Sequence, residues 1–170
     1  MPQVFVSIGT NQDRERNLSA AVSQLAASFE DLQLSETYET KAVGFDGDDF
    51  FNLVAVFSTH LPLAALVQRL REIEALCGRS RSQKRFGSRS MDIDVLTYGQ
   101  LVHDADRPQV PRREMLSEAY VLRPLAELAP DACHPGTGEP YAALRARLAL
   151  DESGMRRTRF DPRAQPRPMP

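Results

Sequence analysis

Phe50-Phe51-Asn52-Leu53-Val54-Ala55-Val56-Phe57-Ser58-Thr59 is apolar almost throughout, with Asn52 the one polar residue before its terminal Ser58 and Thr59. A short run this rich in Val and Phe predicts a strand. Pro62 follows, where it can open a helix because the first helical N–H has no partner to lose. Leu63, Leu66, Val67, Leu70 and Ile73 then recur at three- and four-residue steps and predict one buried helical face. Gly78 is placed to end that helix. Upstream, Val43 to Asp49 reads as a loop and Leu32 to Thr40 as a strand. Leu18, Ala21, Val22, Leu25, Ala26 and Phe29 predict an earlier helix, and Gln3 to Ile8 predicts a first strand closed by Gly9-Thr10-Asn11. Downstream, Met91 to Tyr98 alternates, with Met91, Ile93 and Val95 on one face and Asp92 and Asp94 on the other. The order strand, helix, strand, strand, helix, strand matches a split βαβ unit. The expected class is α+β: a ferredoxin-like antiparallel sheet with helices packed on one face, leaving the other face free for a site.

The ends add less. Ala119 to Leu128 is apolar and predicts a helix, with Pro124 limiting where it begins, and Tyr141 to Leu150 suits a short terminal helix. Met155 to Pro170 holds five arginines and four prolines and reads as a flexible tail, not a second domain. Residues 1–154 are expected to form one domain, a size that suits 170 residues of which 42% are hydrophobic and 26% charged. No apolar run is long enough to cross a bilayer, so no membrane role is expected. No secretory signal is visible at Met1 to Phe5. Two cysteines, Cys77 and Cys133, make no disulfide framework, which fits a reducing cytoplasm. The net charge of −2 argues against a nucleic-acid partner, and a monomer is expected.

Charge is concentrated locally. Asp92 and Asp94 project from one side of their strand, where two carboxylates repel unless a cation lies between them. Magnesium typically takes one or two carboxylates plus substrate phosphates. An acidic, soluble strand face is the plainer reading of the same spacing. The preceding stretch shifts the balance: Arg79, Arg81, Lys84, Arg85 and Arg89 lie within Arg79 to Ser90, which contains no acid. Guanidinium groups fork onto phosphate oxygens. Carboxylates for a metal beside arginines for phosphate suit a metal–polyphosphate complex. A nucleic-acid patch is the rival, but Phe86 is the loop's only ring. Gly87 and the serines suit a closing lid. Asn52 offers a donor and an acceptor to a flat heterocycle, and Phe50 and Tyr120 offer stacking faces. Asp46, Asp48 and Asp49 miss the spacing of a calcium loop, no Walker-type phosphate loop occurs, and His60, His103 and His134 are scattered.

The string Arg85-Phe86-Gly87-Ser88-Arg89-Ser90-Met91-Asp92-Ile93-Asp94-Val95-Leu96 resembles the signature of the 6-hydroxymethyl-7,8-dihydropterin pyrophosphokinase family. Val6 to Asn11, Tyr38-Glu39-Thr40, Gly44 to Asn52, Glu72-Ile73-Glu74, Gly78-Arg79 and Val121 to Glu127 extend the likeness in order along the chain. The resemblance implies transfer of pyrophosphate from ATP to a reduced pterin, with two magnesium ions on Asp92 and Asp94. It implies triphosphate contacts from Arg79 and Arg89. It places Glu74, Arg81, Arg85, Val95, Arg107 and Arg112 on the nucleotide side. Thr40, Val43, Phe50, Asn52, Phe86 and Tyr120 fall on the pterin side, the ring stacking between Phe86 and Tyr120. Several positions depart from the family pattern, among them Phe50, which stands where a tyrosine is familiar. Phe86 stands for a tryptophan, Lys41-Ala42 for a proline-rich turn, Arg112 for a histidine and Glu118 for a frequent basic residue. A regulatory pterin- or nucleotide-binding module and an RNA-binding domain are the alternative readings.

Overall fold

A computed structural model describes residues 1–41, 47–77, 91–105 and 108–164. Its elements run β1 (Gln3–Thr10), α1 (Arg14–Ser28), β2 (Glu30–Leu34), β3 (Tyr38–Thr40), β4 (Phe50–Ser58), α2 (Leu63–Leu76) and β5 (Asp92–Tyr98). A short 3-10 helix (Arg113–Leu116), α3 (Ala119–Leu128), α4 (Tyr141–Leu148) and β6 (Met155–Arg157) complete them. The sheet is antiparallel in the order β5-β1-β4-β3-β6, with β2 also pairing β4.

The near-continuous apolar run of β4 has a simple cause: the strand is buried on both faces. Phe51, Leu53, Ala55 and Phe57 join Val4, Val6 and Ile8 of β1 under α1 and α2, which contribute Leu18, Leu25, Leu66, Leu70 and Ile73. Phe29, at the end of α1, stacks on Phe57 with ring centroids 4.1 Å apart. The expected helix pair on one face is therefore present.

The second face is not left free. Val54 and Val56 of β4, Phe5 of β1 and Leu96 of β5 point to it and are covered by Val121, Leu122 and Leu125 of α3 and Tyr141 and Leu144 of α4. Left bare, these side chains would form a large exposed apolar patch. On this same face Asp94 lies in the row of Val54, and Asp92, Gly9 and Asn52 in the row beyond it.

Three local expectations change. The segment Leu32 to Thr40 is not one strand. It breaks after Leu34, where Ser35 bonds Val54 twice, its N–H donating to the carbonyl at 2.8 Å and its Oγ accepting from the amide at 2.9 Å. Pro124 lies inside α3 instead of marking its start, buried among the residues that hold the helix on the sheet.

The largest change is at the C-terminus. Residues 155–164 are not a loose tail. Tyr38, Glu39 and Thr40 of β3 pair with Arg157, Arg156 and Met155 of β6. Thr158 N–H donates to the Thr37 carbonyl at 2.9 Å, Phe160 stacks on Phe51 at 5.6 Å, and Arg163 donates to the Leu32 carbonyl at 3.0 Å. Three of the arginines that suggested a solvated segment, Arg156, Arg157 and Arg163, have partners. Arg156 pairs with Glu39, and Arg157 with Glu127 and the Tyr38 hydroxyl, which itself donates to Glu127. An unpaired edge on β3 and carboxylates beside it supply what composition alone cannot reveal.

Candidate active site

Cross-strand pairing places the polar residues in rows. Asp92 of β5 lies opposite Gly9 of β1, Gly9 opposite Asn52 of β4, and Asn52 opposite Tyr38 of β3. Residues opposite one another share a face, so Asp92 and Asn52 face the same side, two strand spacings or roughly 10 Å apart. Gly9 lies between them. A Cβ there would come within 2.9 Å of Asn52 Oδ1, so the glycine makes room for the amide. Asp94 lies in the next row, opposite Ser7.

On the β4 side, Asn52 is buried and its Nδ2 donates to Thr40 Oγ1 at 2.6 Å. Half-buried Phe50 pairs with Thr40 in the register. Asn11 Nδ2 reaches the Asp48 carbonyl at 3.1 Å, and Arg14 Nη1 reaches the Asp49 carbonyl at 3.2 Å and Glu39 Oε2 at 3.1 Å. These bonds tie the segment entering β4 to the end of β1 and so fix where Asn52 emerges.

On the other side, β5 is an edge strand, and its outer edge is held by two contacts. Glu74 of α2, buried at 8% exposure, accepts the Ile93 N–H at Oε1 with a 2.8 Å bond. The Arg112 N–H donates to the Leu96 carbonyl at 2.9 Å, just after a cis Val110–Pro111 bond. Between these contacts lies a cleft of about 330 Å³, lined by Val67, Leu70, Arg71 and Glu74 of α2, by Ile93, Asp94 and Val95, and by Pro108 and Arg112. Glu74, Val95 and Arg112, which the family resemblance sets on the nucleotide side, thus meet in one cleft with Asp94. Arg71 was not foreseen. It lies three residues before Glu74 and hence on the same helical face, a signal the sequence already carried. Val67 and Leu70, read from periodicity as core, also line the cleft.

Charge around Asp94 is mixed. Arg112 Nη1 lies 3.7 Å from Asp94 Oδ1 and its Nε 3.1 Å from Glu114 Oε2. The Tyr120 hydroxyl is pushed up to about 12 by burial, and further by the carboxylates of Glu118, Glu114 and Asp94. Tyr120 therefore stays neutral at ordinary pH and lies within electrostatic reach of Asp94. Glu118 heads α3 beside it. Val43, Arg79, Arg81, Arg85, Phe86, Arg89 and Arg107 lie outside the described residues.

Asp92 and Asp94 fit magnesium: two oxygen donors on one face, with Asp94 43% exposed beside an open cleft. Among the described residues no group of three or more His, Cys, Asp or Glu could hold a metal ion.

The α+β sheet thus sets a carboxylate pair between a charged cleft and a buried amide, with oxygen donors for a metal, guanidinium donors for phosphate and a polar edge for a planar ring. Residues 5–130 match the family model described as 7,8-dihydro-6-hydroxymethylpterin-pyrophosphokinase (HPPK), and the chain belongs to that family. A relative from Methylorubrum extorquens, 2-amino-4-hydroxy-6-hydroxymethyldihydropteridine pyrophosphokinase, is 37% identical over 92% of this chain and 99% of its own length. One of the same name from Pseudomonas aeruginosa is 35% identical over 76% of this chain and 82% of its own. Among solved structures, wild-type Plasmodium falciparum HPPK-DHPS superposes on 86% of this chain with a TM-score of 0.66 at 13% identity, a likeness of fold. This chain spans 44% of that longer protein.

Proposed function

We propose that the protein transfers the pyrophosphoryl group of ATP to the hydroxymethyl group of 6-hydroxymethyl-7,8-dihydropterin, giving AMP and the pterin diphosphate in folate biosynthesis. Family membership supports the reaction. The observation that carries the site assignment is the spatial order cleft, Asp94 and Asp92, Gly9, Asn52. That order supports a nucleotide site and a heterocycle site on opposite sides of one carboxylate pair.

In this reading the adenine enters beside Val67, Leu70, Val95 and Pro108, and its phosphates lead toward Asp94. Arg71 and Arg112 flank them with donors. Asn52, oriented by Thr40, reads the pterin edge, and the pair is worth several-fold selectivity because a buried amide left unmatched is costly. Phe50 and Tyr120 border the ring. The pterin hydroxyl oxygen bonds to the β-phosphorus, the bridge to the α-phosphorus breaks, AMP leaves with the bridging oxygen, and the hydroxyl proton goes to solvent. Magnesium, held by Asp92 and Asp94, would supply charge stabilisation on the phosphate oxygens. Two such ions are proposed. Bringing the two substrates together in line supplies much of the remainder.

No described helix is long and apolar enough to cross a membrane. The free thiols of Cys77 and Cys133 fit a reducing compartment, and a cytoplasmic monomer is part of the proposal. The test is direct: protein mixed with MgATP and the reduced pterin should yield AMP and pterin diphosphate in equal amounts. Hydrolysis of ATP without pterin diphosphate, or no AMP at all, would overturn the assignment.

A further inference from the structure

We propose that Arg112 is a counterion that Asp94 keeps until magnesium arrives with the nucleotide, and that its guanidinium then passes from the carboxylate to the phosphates. The proposal rests on the reading of Asp94 as a metal ligand.

The geometry is that of a pivot. The Arg112 backbone is pinned to β5 by its N–H bond to the Leu96 carbonyl, two residues along from Asp94. Its Nε is held by Glu114 at 3.1 Å, while Nη1 reaches Asp94 at the looser distance of 3.7 Å. The side chain is 36% exposed and lines the cleft, so its far end has somewhere to swing. A magnesium–carboxylate bond is short, and a dication and a guanidinium repel one another at such range. Both cannot occupy Asp94 at full strength. Phosphate oxygens offer the displaced guanidinium a better fork than one carboxylate oxygen does.

The surroundings give the exchange a purpose. Asp94, Glu114 and Glu118 bring three carboxylates to this end of the site, with Arg71 across the cleft and a neutral Tyr120 beside it. Losing Arg112 would strengthen the pull of that charge on a metal ion that arrives without nucleotide. With Arg112 in place, metal binding is favoured chiefly when phosphates take the guanidinium away. A histidine, shorter and often neutral at this pH, would oppose the ion less.

The exchange predicts effects of opposite sign, which neither a plain phosphate contact nor a plain structural ion pair produces. The test uses the full chain in three forms, wild type, Arg112→Gln and Arg113→Gln. Arg113 is the exposed neighbour outside the cleft lining, so its variant measures the general field effect. Mn2+ binding without nucleotide is read by loss of the free-ion EPR signal, and MgATP binding without pterin by calorimetry. Arg112→Gln should bind Mn2+ roughly threefold to fivefold more tightly, the range of an exposed ion pair. It should bind MgATP roughly tenfold or more weakly, the loss of a charge-assisted bond. Arg113→Gln should change both by less than about twofold. If Arg112→Gln does not fold, Arg112→Lys keeps the charge and loses the fork. It should match wild type for Mn2+ and fall short for MgATP. Mn2+ affinity that is unchanged or weaker in Arg112→Gln, or equal shifts in both glutamine variants, overturns the exchange. A wild type that forms no AMP would instead overturn the proposed reaction, while the two affinities still decide the role of Arg112.

Discussion

Gly9 sets the distance between the two halves of the site. Its missing side chain is where Asn52 Oδ1 would meet a Cβ at 2.9 Å. Gly9→Ala should therefore push the amide aside, lowering pterin affinity by roughly tenfold, the worth of one good hydrogen bond, with little change in MgATP affinity. Fluorescence titration with a pterin, beside calorimetry with MgATP, checks the split; equal losses for both ligands would mean a general distortion. Glu74 acts on the other half. Its carboxylate accepts the Ile93 N–H between the two aspartates. Glu74→Leu leaves that buried donor unmatched and should cost about 1–3 kcal/mol in urea unfolding, while Glu74→Gln keeps an acceptor and should cost less than about 1 kcal/mol. Equal stability of the two variants would show that the bond carries no weight. Tyr120 gives a pH signature. Its pKa is raised to about 12, so between pH 10 and 12 the unfolded chain releases a proton that the folded chain keeps, and stability falls as pH rises. Tyr120→Phe should make that fall shallower, read from melting temperatures across the same range; an unchanged slope would contradict the burial of this hydroxyl.

At the scale of elements, β6 is the part that composition concealed. Removing residues 155–170 should strip the pairing from β3, the stacking of Phe160 on Phe51 and the bonds of Arg157. A loss of roughly 2–4 kcal/mol in urea is expected, from one partly buried aromatic and several hydrogen bonds. Because Thr40 orients Asn52 and pairs with Met155, pterin affinity should fall as well. An unaltered urea midpoint would restore the view of a dispensable tail. The contrast with β4 is instructive. The nine residues of β4, apolar apart from Asn52 and the terminal Ser58, read as a strand on their own. The short β6, Met-Arg-Arg, has no pattern of its own and is fixed by the unpaired edge of β3 and by Glu39 and Glu127, residues over 25 positions away. The break at Ser35 and the proline inside α3 were hidden for the same reason: tertiary partners, not local preference, decide them.

At the scale of the whole molecule, the sheet divides labour between its faces. One is closed by α1 and α2; the other is closed by α3 and α4 except at the end where Asp92, Gly9 and Asn52 line up. The carboxylate pair and the amide stand out in the chain because a charged or polar residue in an apolar strand is conspicuous, and their proposed roles rest on that reading. The cleft does not stand out, because Val67 and Leu70 look like core, and only the docking of α2 beside β5 reveals their second role. The central claim is that the carboxylate pair serves pyrophosphoryl transfer and not folding. The measurement that tests it is AMP formation from MgATP and 6-hydroxymethyl-7,8-dihydropterin by wild type, Asp92→Asn and Asp94→Asn. The wild type should turn over, and each variant should be slower by at least ~100-fold, since charge stabilisation at the transition state is worth several kcal/mol. AMP formation undiminished by both substitutions would contradict the account.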